Sequence, residues 1–289
     1  MKRSKKFSKK RKFSTRKQQL LPNDVFPRIN NFVLNPSIPG LSLSIYNTLP
    51  AIQKTKEFYE TSLNIRARSN IELANEVAKY PNLKELYCSE SRITELPPNL
   101  NKLQILGCSH TDITELPPNL NNLQKLECNE TEITELPPNL NNLQELYCYE
   151  TRITELPQNL NNLQILYCSR TQITELPLNL NNLQTLNCFE TPITKLPPNL
   201  NNLQILNCSG TQITELPPNL NNLQTLYCSR TQITELPSNL NNLQTLYCYR
   251  TQITELPPNL NNLQTLNCSR TLKIPDYIRR NPDIQIYTT

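Results

Sequence analysis

Ten cysteines (Cys88, Cys108, Cys128, Cys148, Cys168, Cys188, Cys208, Cys228, Cys248 and Cys268) follow one another at intervals of 20 residues. Thiols can pair as disulfides, hold zinc, or attack as thiolates, and each use demands a geometry that this spacing withholds. There is no CxxC and His110 is the only histidine, so a tetrahedral zinc site would have to come from a single file of thiols. Thiols projecting the same way from parallel strands suit packing better than the roughly 90° torsion of a disulfide. In a dry file the thiolate is disfavoured, so none of the ten is expected to be a nucleophile. Ten reduced thiols imply a reducing compartment, hence an intracellular protein.

The other groups able to do chemistry lead to the same place. A column of glutamates, Glu95, Glu115, Glu135, Glu155, Glu175, Glu215, Glu235 and Glu255, could suggest a metal, but it falls on loops before each Leu-Pro and Lys195 interrupts it. A solvated edge is the expected setting. The chain has three glycines, Gly40, Gly107 and Gly210, and so no glycine-rich phosphate loop. With no nucleophile and no general base to name, the expectation is a non-enzymatic protein without catalytic residues, metal or cofactor.

The spacing then dictates the elements. One unit, residues 103–122, reads LQILGCSHTDITELPPNLNN, and Leu103, Leu106, Cys108, Thr111, Ile113, Leu116, Pro117, Asn119 and Leu120 hardly vary along the chain. In LQILGC, Leu106 and Cys108 alternate with Ile105 and Gly107, the period of a strand with one buried face. The prolines of LPPNL lack donors and fix φ, which predicts an extended, polyproline-like return path. A unit this short cannot bury enough surface alone, so units must stack.

These residues resemble the leucine-rich repeat, LxxLxLxxNxLxxLPxxL, with Cys in place of the third strand leucine and Thr or Ser (Ser91, Thr111, Thr131 and onward) in place of asparagine. The resemblance implies a leucine-rich repeat solenoid with parallel β-strands on a concave face, an extended convex side and a small α-helical N-terminal cap. Ten strands are expected over residues 83–271, with a cap at 63–82 containing a helix near 71–80 (apolar Ile71, Leu73, Ala74, Val77 and Ala78). A C-terminal cap is expected at 272–289, where Ile274-Pro275 echoes Leu-Pro and residues 284–287 form a last strand.

Variation concentrates at positions 105, 107, 109, 110 and 112 and their equivalents, which are expected on the concave face as a recognition surface. Tyr87, Tyr147, Tyr149, Tyr167, Phe189, Tyr227, Tyr247 and Tyr249 supply aromatic anchors there, and Arg170, Arg230, Arg250 and Arg270 supply positive charge. Tyrosine also suits strands by propensity alone. In these columns acids dominate the first four repeats (Glu85, Glu90, Asp112, Glu127, Glu130, Glu132, Glu145 and Glu150) and arginines the last six, a gradient that would orient a protein ligand.

Two segments precede the repeats. Residues 1–17 hold ten Lys or Arg and no acid, leaving 19 basic against 24 acidic residues elsewhere. A disordered basic tail (1–19) of this kind fits a nuclear signal, a nucleic-acid tether, or a solubilising leader without a receptor. No apolar run follows it, so neither a secretory signal nor a membrane span is expected. In residues 20–62, Leu21-Pro22 with Val25, Ile29 and Phe32 is similar to the start of an F-box, which implies a ubiquitin-ligase linker subunit as partner. Pro27 inside the stripe and the absence of tryptophan depart from that pattern, and a larger helical cap is the alternative. Taken together, the chain resembles the leucine-rich repeat proteins of giant amoeba-infecting DNA viruses of the mimivirus kind. That implies a host protein as ligand and the host cytoplasm, or nucleus, as location. Bacterial LPxxL effectors with a ligase domain are a different 20-residue class, and nothing after Thr271 is long enough for that domain.

Overall fold

Each unit spends only three residues on a strand, because the Leu-x-Cys alternation ends where the chain must turn. The computed structural model describes residues 61–288. Their strands are β1 (Ser62–Asn64), β2 (Glu85–Tyr87), β3 (Ile105–Gly107), β4 (Lys125–Glu127), β5 (Glu145–Tyr147), β6 (Ile165–Tyr167), β7 (Thr185–Asn187), β8 (Ile205–Asn207), β9 (Thr225–Tyr227), β10 (Thr245–Tyr247), β11 (Thr265–Cys268) and β12 (Gln285–Thr288). All pair in parallel and in chain order, so the sheet is one twelve-stranded ribbon wound as a solenoid. Register follows the repeat without slip: Leu106 lies opposite Leu86 and Leu126, Tyr147 opposite Tyr167, Tyr227 opposite Tyr247.

The ten expected strands are β2 to β11, and β12 is the expected closing strand. β1 is additional. It lies across the expected boundary at 62/63, and its Leu63 is buried beside Leu86, extending the core one strand further than the cysteine file predicts.

In each turn Leu103, Leu106, Cys108, Ile113, Leu116 and Leu120, or their equivalents, close one continuous core, with Leu106, Cys108 and Ile113 fully buried. The return path after Ile113 contains no helix. The threonine that replaces asparagine works within its own turn: the Thr111 hydroxyl donates to the Cys108 carbonyl at 2.7 Å, and Thr131, Thr151, Thr171, Thr191, Thr211, Thr231 and Thr251 repeat the bond. Bonds between turns come from a second column that pattern reading passed over. Asn122 Nδ2 donates to the Asn101 carbonyl at 2.8 Å, and Asn142, Asn162, Asn182, Asn202, Asn222, Asn242 and Asn262 do the same one turn on. Where the first unit has Lys102 instead, its ammonium bonds the Pro81 carbonyl and Asn82.

The N-terminal cap is helix α1 (Asn70–Val77). Ser69 caps it by accepting from the Glu72 N–H, and the Glu72 carboxylate accepts from the Arg68 N–H at 2.6 Å, a variant of the capping box. Asn70 ties the helix to the first turn through two bonds with Thr94. Of the five apolar residues expected on its inner face, only Leu73 and Val77 are buried, and Ile71 is 73% exposed. Two helical turns present only a single i, i+4 pair to the core, and Ile71 projects away from it. At the other end α2 (Asp276–Arg279) buries Ile278 and leads into β12.

Leu166→Ala should lower stability by about 2–5 kcal/mol, through the cavity it leaves in the core. Asn162→Ala, which removes one exposed inter-turn bond, should cost about 0.5–1.5 kcal/mol. Urea unfolding of both variants measures the difference.

Candidate functional site

The variable columns fall on three surfaces rather than one. Positions 85 and 87 and their equivalents lie on the open face of the sheet. Position 90 and its equivalents form a corner, and position 92 and its equivalents lie on the flank beyond it. Position 89 sits beneath the corner and is largely covered: Ser109, Asn129, Ser169, Phe189, Ser209 and Ser229 are buried.

The corner has an unusual backbone. Glu90, His110, Glu130, Glu150, Arg170, Glu190, Arg230 and Arg250 have φ of 53–58°, and Gly210 has φ of 73°. A non-glycine residue in this left-handed region costs roughly 1–2 kcal/mol, and the conformation is repaid by aiming each N–H at the next turn. The Glu130 N–H reaches the Tyr149 carbonyl at 3.0 Å, Arg170 reaches Phe189 at 2.9 Å, and Gly210 reaches Ser229 at 2.9 Å. Corner side chains therefore stand one above another. Arg170 bonds both Glu150 (2.6 Å) and Glu190 (3.0 Å), His110 pairs with Glu130 (3.2 Å), and Glu90 pairs with Arg66 (2.7 Å).

On the sheet face, charge is confined to the first strands. Lys125 bridges Glu127 (3.0 Å) and Glu145 (3.2 Å), the Tyr147 hydroxyl donates to Glu145 (3.2 Å), and the Lys125 ammonium lies 5.3 Å from the Tyr147 ring centre. Burial alone would lower the Lys125 pKa, but Glu127 and Glu145 outweigh it, so the ammonium is held above its usual value. Burial, then Glu145, pushes the Tyr147 phenol up. From β6 to β12 the face carries no charged residue.

That neutral stretch and its border hold two tyrosine pairs. Tyr147 and Tyr167 stack with ring centres 5.2 Å apart, and Tyr227 and Tyr247 tilt together at 4.9 Å. Asn187 and Asn207 separate the pairs across three strand intervals, roughly 14 Å. Tyr87 lies over Gly107, where a Cβ would meet its ring at 3.1 Å.

The expected recognition set is thus divided. Tyr87, Tyr147, Tyr167, Tyr227 and Tyr247 are on the sheet face, half-buried against their neighbours rather than standing free of the core. Tyr149 and Tyr249 belong to the covered column and remain partly exposed. Phe189 is not a surface anchor. It is 9% exposed, with the Arg170 guanidinium 5.6 Å above its ring. Arg170 is engaged by two carboxylates, whereas Arg230, Arg250 and Arg270 are exposed and form no salt bridge among the described residues. Leu21, Pro22, Val25, Ile29 and Phe32 lie outside the described residues. The alternation of residues 105 and 107 with Leu106 locates the sheet face from sequence. The corner needed a cue that side-chain types do not give, a left-handed φ.

All ten cysteines are free and buried. Burial pushes Cys88 and Cys188 up to about 12 and Cys108, Cys128, Cys148, Cys168, Cys208 and Cys228 well above the ordinary thiol value. Among the described residues no group of His, Cys, Asp and Glu is placed to hold a metal ion, and no helix is long and apolar enough to cross a membrane. The column Glu95 to Glu255 is exposed, with Glu255 paired to Lys273 at 2.9 Å.

Residues 201–242 match the family described as Leucine Rich repeats (2 copies). No curated protein matches the chain. Among solved structures, the chain is similar to an internalin, InlF from Listeria monocytogenes, at 21% identity over 78% of this chain and 86% of that one, with a TM-score of 0.62. It is similar to the functional domain of InlJ from the same bacterium, which includes a cysteine ladder, at 26% identity over 79% of this chain and 62% of that one, TM-score 0.61. It is similar also to the plant peptide hormone receptor RGFR1 in complex with RGF2, at 20% identity over 79% of this chain and 44% of that one, TM-score 0.64. The fold is a leucine-rich repeat solenoid.

Unfolded thiols ionise near pH 8.5, while the buried ones keep their protons to higher pH. The stabilisation is fully present below the unfolded value and is lost as pH rises, by up to ~1.4 kcal/mol per thiol per pH unit. The thermal midpoint should therefore fall steeply between pH 8.5 and 10.5. Thiolate absorbance at 240 nm should appear only together with loss of the circular dichroism of the sheet, and its earlier appearance would contradict the buried file.

Proposed function

We propose that this leucine-rich repeat solenoid is a protein-binding scaffold that receives its ligand on the open sheet face, with the pairs Tyr147–Tyr167 and Tyr227–Tyr247 as anchors. The observation that carries the reading is the placement of these rings: four tyrosines on one face, two by two, bordering or lying within a neutral stretch that asks no partner to desolvate a charge. At one end the Glu127–Lys125–Glu145 cluster carries one excess negative charge and sets an orientation. The similarity to RGFR1 in complex with RGF2 supports a polypeptide ligand. A non-enzymatic role is part of the same reading. A host protein as ligand, and coupling of that ligand to a ubiquitin ligase through residues 20–62, rest on sequence resemblance, whereas the intracellular placement rests on the ten thiols and a nucleic-acid tether on the ten Lys or Arg of residues 1–17.

Replacing Tyr147, Tyr167, Tyr227 and Tyr247 together by Ala should abolish capture of a protein partner from lysate while the chain still unfolds cooperatively. Each lost ring contact costs about 0.5–1.5 kcal/mol. Capture undiminished in this variant would move the binding surface to the return path or the N-terminal segment.

The coupling reading has its own check. Leu21→Ala with Pro22→Ala should eliminate binding of the ligase linker subunit and leave the melting transition unchanged. A wild-type chain that never binds that subunit would leave residues 20–62 as a cap.

A further inference from the structure

The corner column changes character along the solenoid. Up to Glu190 its side chains are engaged with ionisable neighbours, as Arg66–Glu90, His110–Glu130 and Glu150–Arg170–Glu190. Gly210 then leaves a gap, and after it come Arg230, Arg250 and Arg270 on consecutive turns. All three are exposed, and among the described residues no carboxylate lies within salt-bridge range of any of them. Arg170 shows that a corner arginine reaches the side chains of both adjacent turns, so Arg230 and Arg250 can reach one another and repel, with Arg270, which lacks the left-handed φ, exposed on the turn after. Arg230 and Arg250 hold their charge at φ of 58° and 55°, where Gly210 shows that a residue without a side chain also serves the fold. Three like charges left unrelieved on consecutive turns, where every corner side chain from Glu90 to Glu190 has an ionisable partner, indicate a ligand rather than a structural need.

We propose that Arg230, Arg250 and Arg270 form a docking ladder for an acidic peptide segment running across the strands. Turns spaced ~4.8 Å apart place the outer two arginines roughly 10 Å from each other, the span of three residues of extended chain, so a short acidic run can address all three. Guanidinium groups can donate to carboxylates in bidentate fashion, which favours a peptide carboxylate over a point anion. Nucleic acid fits less well. A polyanion would meet only three arginines on repeats that also carry the exposed Glu235 and Glu255, whereas a short peptide samples the local charge alone. This surface is separate from the tyrosine face, and its test does not depend on a partner being found.

The test is fluorescence polarisation of a fluorescein-labelled hexaglutamate peptide with the full-length chain at low and at physiological salt. The variant R230Q/R250Q/R270Q should bind at least tenfold more weakly and keep its melting transition, since all three side chains are exposed. Removing an equal number of charges from the leader, in K2Q/R3Q/K5Q, should weaken binding by less than threefold, and R170Q, whose partners are already in place, should likewise change it little. The quadruple tyrosine variant should bind the peptide as wild type does, which separates failure of this proposal from failure of the sheet-face reading. Equal losses from the leader and ladder variants would mean that the peptide samples net charge, and would overturn the site. If R230Q/R250Q/R270Q instead loses affinity for a labelled oligothymidylate and not for the peptide, the ladder is a phosphate-backbone surface and the peptide assignment is wrong.

Discussion

A three-residue strand cannot satisfy its own backbone, and a 20-residue turn leaves most of its amides pointing out of its own plane. Those groups must bond to the turns on either side or remain dry and unpaired, which is prohibitively costly. In this chain the Gln124 N–H donates to the Gln104 carbonyl at 2.7 Å, Cys108 donates to Glu127 at 2.8 Å, and His110 donates to Asn129 at 2.9 Å, so each turn is bonded to both neighbours along its strand and through the corner. The asparagine column adds the same kind of bond at the far side of the strand. Everything else in the molecule is consistent with this requirement of exact stacking, from the fixed period to the small buried thiol that lets adjacent turns approach.

Stacking turns positions into columns, and a column amplifies whatever residue occupies it. A buried thiol becomes a file of thiols with their ionisation suppressed. A tyrosine becomes a stacked pair when the next turn repeats it, as at Tyr147 and Tyr167. A charge becomes either a chain of ion pairs, as around Arg170, or an unrelieved ladder, as at Arg230, Arg250 and Arg270. The core columns are almost invariant because an error there would be felt by three turns. The face and corner columns are free to differ, and binding chemistry can be written there with little cost to the fold.

Much of this was legible in the residues. The alternation of Leu106 and Cys108 with Ile105 and Gly107 identifies the strand, and LPPNL identifies the extended return, because both follow from backbone stereochemistry that holds in any context. The sheet-face tyrosines were legible for the same reason. The corner was not. Positions 109 and 110 look alike as variable polar residues, yet a left-handed φ at 110 turns one under the surface and the other out, which is why Phe189 is covered and Arg170 exposed. Pairing was also hidden: Arg230 and Arg250 share the left-handed φ of Arg170 and differ from it in what the adjacent turns carry. β1 escaped notice because its unit puts Ile65 where the later units put cysteine and the helix α1 in place of the LPPNL return path, leaving only Leu63 and Ile65 to mark the strand.

The central claim, that the turn is the unit of structure and neighbouring turns supply one another's bonds, is tested most directly by deletion. Removing residues 163–182, one whole turn, joins Asn162 to Leu183 in the register that Leu163 held. The account predicts a chain that still unfolds in one cooperative transition, with a circular dichroism spectrum of the same shape and only a modestly lower urea midpoint. Removing ten residues instead, 163–172, places a strand against a return path and should abolish cooperative folding. A half-turn deletion that folds as well as the whole-turn deletion would contradict the account.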